Sequence, residues 1–277
     1  MKVVLDGVAK GRRAHALPAT SLAFESGRAT LVTAETDQRP TVLGLIAAGR
    51  MRPSVGRVEV DGRADDLDTR RRVARVGALD PAAAAMRRRI ALVDAPGVSD
   101  PEPNVTLAGV VAEELMFAGR RSDPVAVRRW LDEQGLGGEA SVPVSNVAPA
   151  ARVRALCELA VLRPGVEGVV LVSPDRHGGE PGDWWTIAES LAAHGYAVLV
   201  IAGRASQSVL ETTPRRDRGS SPSDHATTAN DTVVRRETAV SASVRTPDHP
   251  RPSRVRLRRA TARPTARTTA RTKGGRA

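Results

Sequence analysis

Val169-Val170-Leu171-Val172 is the most restrictive stretch of this 277-residue chain. Four consecutive apolar residues, three of them β-branched, offer no polar face to water. Such a strand is stable when both faces are covered, as inside a parallel sheet flanked by helices. Ile90-Ala91-Leu92-Val93 and Ala197-Val198-Leu199-Val200-Ile201 are apolar in the same continuous way, and Ala29-Thr30-Leu31-Val32 is a shorter β-prone run. Between these runs apolar residues recur at helical spacing, as in Leu43, Ile46 and Ala47. The expected fold class is therefore α/β. The sheet would be layered around four parallel strands, Ala29–Val32, Ile90–Val93, Val169–Val172 and Ala197–Ile201.

Hydrophobic residues make up 41% of the chain, enough for a real core, but aromatics only 2%, so the core must be built from Val, Leu, Ile and Ala. The net charge of +11 is unevenly placed. Residues 211–277 hold 16 Arg/Lys against 6 Asp/Glu, whereas residues 1–210 hold 26 against 25. The body is nearly neutral and the basicity belongs to the tail. A single cysteine, Cys157, excludes an intrachain disulfide and a cysteine metal cluster, and its apolar helical neighbours predict a buried thiol. No run approaches the ~18 apolar residues of a membrane span. Lys2 leads into Val3-Val4-Leu5-Asp6 without the sustained apolar core of a signal peptide, so a cytoplasmic chain is expected.

Two antiparallel strands are predicted before the central sheet, Lys2–Val8 and His15–Phe24. Ala29–Arg50 then reads as strand, tight connection and helix. The connection, Thr33 to Pro40, is where a phosphate-binding loop would sit. Such a loop needs glycines so that backbone N–H groups can close round phosphate, and a lysine to neutralise it, in the spacing G-x-x-x-x-G-K-[ST]. Here Thr33 and Gln38 stand at the two glycines, Arg39 at the lysine, Pro40 at the first hydroxyl residue and Thr41 at the second. Pro40 has no N–H to offer. Glu35 and Asp37 add negative charge. Against that pattern the stretch resembles the nucleotide-binding domain of ABC transporters, with the chemistry of its loop removed.

Further phrases carry the resemblance, in the family's order. Pro53-Ser54-Val55-Gly56, a short strand and Asp61-Gly62 match its "P-x-x-G … D-G". Arg87-Arg88-Arg89-Ile90 … Val93 matches its "R-R-x-I-x-x-V", the strand that leads to a metal-bridging glutamine, whose place is taken by Ala95, with Asp94 one position away. Leu67–Arg75 reads as a charged helix and Val76–Met86 as an alanine-rich insertion. Asp100 to Leu162 corresponds to the family's helical subdomain, with helices at Leu107–Phe117, from Asp123, and over Ala151–Leu162. Glu113 and Glu114 are adjacent and point apart on a helix, so they are not a paired-carboxylate site.

Arg152-Val153 aligns with the end of the signature motif, which places the motif on Ser145-Asn146-Val147-Ala148-Pro149. Neither of its glycines is present, and Ser145 or Asn146 is expected instead to cap the following helix. The strand Val169–Val172 ends in Ser173-Pro174 where the family has aspartate and glutamate, the Mg²⁺ anchor and the base. Glu180 stands at the aspartate of the dimer-contacting loop. Gly203 stands at the histidine that reaches the γ-phosphate, while His177 and His194 read as solvated. No aromatic near Lys10-Gly11-Arg12-Arg13 is available to stack on adenine. That forgoes about 1–3 kcal/mol if base stacking in nucleic-acid sites is a guide.

The resemblance covers residues 1–206 and implies a P-loop NTPase-like (ABC ATPase) layered sheet with a helical insert at about 100–162. Residues 207–277 are rich in Thr, Ser, Arg and Pro, with Thr227–Val234 and Thr238–Val244 too short and polar for a core, and read as a disordered basic tail. What the resemblance implies is a degenerate ABC-type ATP-binding subunit, a pseudo-ATPase acting as a regulatory or structural partner of a membrane transporter. It would dimerise with itself or with another ATP-binding subunit, contact a membrane permease and lie on the inner face of the membrane. The family's cofactors are ATP and Mg²⁺. The residues left to meet them are Arg39 and Thr41 for phosphate, Thr41 and Asp94 for metal, and Asp175 as the candidate catalytic carboxylate. Two alternatives stay open. One is an active or weakly active ATPase component. The other is a basic nucleic-acid-associated protein whose tail contacts phosphates of nucleic acid or anionic lipid.

Overall fold

The computed structural model describes residues 1–35, 39–61, 63–64 and 81–212. The chain begins with an antiparallel sheet. β1 (Lys2–Lys10) pairs with β2 (Leu17–Glu25) on one side and β4 (Val55–Val60) on the other, and β5 (Arg63–Ala64) extends it in the order β2-β1-β4-β5. In β2, Thr20, Leu22 and Phe24 turn inward and Ser21 and Ala23 outward, the period of two of a sheet with one wet face. This sheet is separate from the central one. β3 (Arg28–Thr33), which follows β2 in the chain, belongs to the central sheet.

The second sheet is wholly parallel, in the order β3-β8-β7-β6, with β6 Ile90–Val93, β7 Gly168–Val172 and β8 Ala197–Ala202. These contain the four strands expected. Every residue of β6, β7 and β8 is buried. Alternate side chains divide between two cores. Val170, Val172, Leu199 and Ile201 face a core shared with α1 (Arg39–Ala47) and the antiparallel sheet, through Leu43, Ile46, Val3 and Phe24. Val169, Leu171, Val198 and Val200 face α5 (Pro149–Val161) and α6 (Pro181–Ala193), through Val153, Leu156, Trp184 and Leu191. Gly44 lets α1 approach closely, since a Cβ there would lie 2.7 Å from the Val172 Cγ2.

α2 (Pro81–Arg89) runs directly into β6. α3 (Leu107–Phe117) and α4 (Pro124–Glu133) pack a third core with one side of α5, through Leu107, Val111, Leu115, Leu131 and Leu159. Sequence and structure agree at their starts. The Thr106 hydroxyl accepts the Gly109 N–H, and the Asp123 carboxylate accepts those of Val125 and Ala126 ahead of Pro124.

Two expectations are corrected. Ser145 and Asn146 cap nothing. They lie in a 3-10 turn (Val144–Asn146), and α5 starts after Ala148, with Pro149 in its first turn and no side-chain cap. The chain also stays regular beyond residue 206, because α7 (Arg204–Thr212) is anchored by buried Ser206 and by Leu210 against the core. The described residues all belong to one unit, Met1–Val244. The expected helix Leu67–Arg75, residues 76–80 of the expected alanine-rich insertion Val76–Met86, and residues 213–277 of the expected basic tail fall outside the described residues.

Cys157 is buried in α5, and burial above all, helped by the Asp94 and Glu158 charges, pushes its thiol pKa far up. A thiol-directed maleimide at neutral pH should label it only after denaturant unfolds the chain. Stoichiometric labelling of native protein would contradict the packing of α5.

Candidate functional site

The connections that follow β3, β6, β7 and β8 emerge at the same end of the parallel sheet, the end at which open α/β sheets bind ligands. Asp94 is the first residue after β6 and takes a left-handed conformation (φ 56°), which Asp tolerates better than most residues. Its side chain is fully buried. Oδ1 accepts from Arg152 Nη2 at 2.7 Å and from Arg176 Nη2 at 3.0 Å, and Oδ2 lies 2.7 Å from His177 Nε2. Arg152, itself 4% exposed, also donates to the Val144 carbonyl at 3.2 Å. Arg176 also donates to the Asp94 carbonyl and reaches Asp100 Oδ2 at 3.4 Å.

Burial is the largest influence on the Asp94 carboxyl and opposes its charge. The His177 hydrogen bond and the Arg152 and Arg176 charges together outweigh it and hold the pKa below the ordinary carboxylate value. Asp94 is thus the hub of a buried ion cluster joining β6, α5 and the turn after β7. His177, expected to be solvated, belongs to it. Ala95, at the glutamine position, is completely buried.

After β7 the chain turns at Ser173 (φ 50°), whose N–H donates to the Ile201 carbonyl at 2.7 Å. Asp175 does not face an open site with both oxygens. Its Oδ2 accepts the Gly203 N–H at 2.8 Å and the Ser206 hydroxyl at 3.2 Å, so it ties the end of β7 to the end of β8. A Cβ on Gly203 would lie 3.0 Å from that same oxygen. Glu35 is engaged as well, accepting the Arg204 N–H at 2.9 Å at the start of α7, where a carboxylate is favoured by the helix dipole.

At the start of α1, Arg39 is half-buried and Pro40 buried. The Thr41 Oγ1 is buried without a hydrogen-bond partner. Asp37 and Gln38 lie outside the described residues. His194, exposed, closes α6 with Nδ1 2.7 Å from the Ser190 carbonyl, as a solvated helix-end histidine does.

Among the described residues this set fits phosphate only in part and does not fit Mg²⁺. Arg39, the unpartnered Thr41 hydroxyl and a helix N-terminus are the anion-binding elements. No three His, Cys, Asp or Glu among the described residues are grouped to hold a metal. Asp94 is surrounded by three basic side chains, and a divalent cation there would have to displace guanidinium groups.

The ion cluster escaped sequence reasoning because its members are far apart in the chain. One signal was present: Arg152 precedes Val153 on the apolar side of a core helix, where a buried arginine requires an acid partner.

No family model matches this chain, and no curated protein matches it in sequence. Solved structures do. It is similar to a dimeric bacterial ABC transporter cassette, with a TM-score of 0.53 and 16% identity over 73% of this chain and 88% of that one. It is also similar to a nucleotide-free ATP-binding cassette from an ABC transporter, with a TM-score of 0.51 and 16% identity over 76% of this chain and 84% of that one. At such identities the likeness is one of architecture, and this chain has the fold of an ABC transporter ATP-binding cassette.

Proposed function

We propose that this chain is a degenerate ABC-type ATP-binding subunit, a pseudo-ATPase that acts as a regulatory or structural partner of a membrane permease and pairs with a second ATP-binding subunit. The observation that carries the reading is the engagement of the strand-end carboxylates. Asp94 is neutralised by Arg152 and Arg176, and Asp175 is turned onto Gly203 and Ser206. General-base catalysis needs a carboxylate within hydrogen-bond reach of the attacking water, and here that carboxylate holds two strand ends together. The cassette fold supports the partnership. Among the described residues no helix is long and apolar enough to cross a membrane.

Nucleotide would be held weakly. A charge-assisted hydrogen bond from Arg39 contributes about 1.5–3 kcal/mol, whereas micromolar affinity requires about 8 kcal/mol. The expected dissociation constant for ATP is weaker than about 1 mM. Steady-state ATP turnover by the purified full chain should equal a buffer blank. Turnover that survives repurification and is abolished by Asp175→Ala would refute the proposal. So would low-micromolar ATP binding that Arg39→Ala removes, since the chain would then be a nucleotide sensor.

A further inference from the structure

The end of the parallel sheet where β6 and β7 begin, opposite the strand-end carboxylates, gathers three guanidinium groups. Arg50 follows α1, Arg87 lies in the last turn of α2, and Arg163 follows α5. Arg50 Nη1 donates to the Ala48 carbonyl at 3.1 Å and to the Ile90 carbonyl of β6 at 3.0 Å. Arg87 Nη1 donates to the Gly49 carbonyl at 3.2 Å. Arg163 stands in the turn that leads into β7, whose Gly168 pairs with Ile90.

Their charges are poorly balanced. Arg89, two residues from Arg87, has Asp61 and Glu167 as ion partners, and Arg163 has Glu114 at 2.5 Å. Arg50 and Arg87 meet only backbone carbonyls among the described residues. Burial first, then the Arg163 and Arg87 charges, hold the Arg50 guanidinium below its ordinary pKa. A guanidinium withdrawn from water is ordinarily paired with an acid. The last carbonyls of α1 explain part of the arrangement, since a helix C-terminus favours cations. They do not explain Arg163, whose Nε is buried without a hydrogen-bond partner.

We propose that Arg50, Arg87 and Arg163 form a binding site for a small phosphate-type oxyanion. Guanidinium groups present N–H donors in a fixed plane and meet phosphate oxygens two at a time. Three cations against the one carboxylate of Glu114 leave two positive charges, which a phosphate dianion balances and a single carboxylate does not. Arg50 is half-buried and Arg87 exposed, so the site is open to solvent on one side and partly desolvated on the other. Arg39 lies at the other end of α1, about 14 Å away along a nine-residue helix. The site is therefore distinct from the anion-binding elements at the start of that helix, and its occupancy does not depend on the proposed function.

The test is a nuclear magnetic resonance titration of the full-length protein with sodium phosphate, above the second phosphate pKa. Ionic strength is held constant with chloride. Saturable shifts are expected at the Gly49, Arg50 and Ile90 amides and at the Arg163 Nε–H, with the Val200 amide of β8 unmoved. Arg87→Ala should weaken binding by about tenfold or more, as the loss of a charge-assisted hydrogen bond does. Arg163→Lys keeps the charge beside Glu114 but removes the Nε donor, and should weaken phosphate binding as well. Arg39→Ala should leave these shifts unchanged, and acetate should bind about tenfold more weakly than phosphate or less. Shifts that rise linearly without saturating would overturn the proposal. So would equal affinity for acetate, unchanged affinity in both Arg87→Ala and Arg163→Lys, or shifts confined to the Arg39 and Thr41 amides, which would place the anion at the start of α1.

Discussion

Asp94→Ala should lower the free energy of unfolding by about 3–5 kcal/mol, the range for removing one partner of a buried ion pair. The carboxylate is fully buried and Arg152 is 4% exposed, so water does little to screen their pairing. Alanine would leave the Arg152 guanidinium buried with only the Val144 carbonyl. Arg176 and His177, at 24% and 22%, can turn towards water and add less. The penalty is therefore mainly that of a stranded charge. An Asp94→Ala, Arg152→Met double variant should accordingly be more stable than the sum of the single losses. Urea unfolding of the four proteins reads this directly. A loss below about 1 kcal/mol, the value of an exposed pair, would show that the cluster is open to solvent.

The same residue sets an acid limit. Because the native pKa of Asp94 lies below its unfolded value, its contribution is fully present above the unfolded pKa of about 3.9. That contribution disappears as pH falls through the lower folded value. Wild type should therefore lose more stability between pH 5 and acid than Asp94→Ala does (a span of about two or more pH units).

Gly56→Ala should destabilise the chain by about 2–4 kcal/mol. Gly56 has φ +80°, which disfavours an L side chain by about 1–2 kcal/mol. A Cβ there would also lie 2.4 Å from the carbonyl carbon and oxygen of Gly7 and 2.5 Å from the Asp6 oxygen. Those are backbone atoms at the register shift between β1 and β4, so no rotamer change relieves the clash. Overpacking of that kind adds about 1–3 kcal/mol. Gly27→Ala is the control, since its φ is +82° but a Cβ there would meet nothing within 4 Å. Thermal unfolding should rank wild type, Gly27→Ala and Gly56→Ala in that order, and equal midpoints for the two variants would remove the steric part of the argument.

Gly56 also shows how a framework residue became legible. It closes the phrase Pro53-Ser54-Val55-Gly56 on which the family resemblance rested, and the structure gives the reason, a crossing too close for any side chain. The engaged acids were not legible in this way. From the sequence, Glu35 stood in the connection where a phosphate-binding loop would sit, and Asp175 was the candidate catalytic carboxylate. In the fold Glu35 serves the start of α7 and Asp175 the ends of β7 and β8. A carboxylate reads the same in the sequence whichever partner it meets.

The sequence by itself determined the parallel sheet. A strand covered on both faces must be apolar at consecutive positions, and 90–93, 169–172 and 197–201 declare this locally. It also determined the helix starts at Thr106 and Asp123, because a cap bonds within three residues of its own position. Only the tertiary structure decided that Asp94 meets Arg152 and His177, residues 58 and 83 positions away, and that of the two edge strands β6 is buried while β3 is mostly half-buried. Burial leaves its mark on each residue, whereas pairing across the chain is set by how the strands and helices pack, and no single segment carries that information.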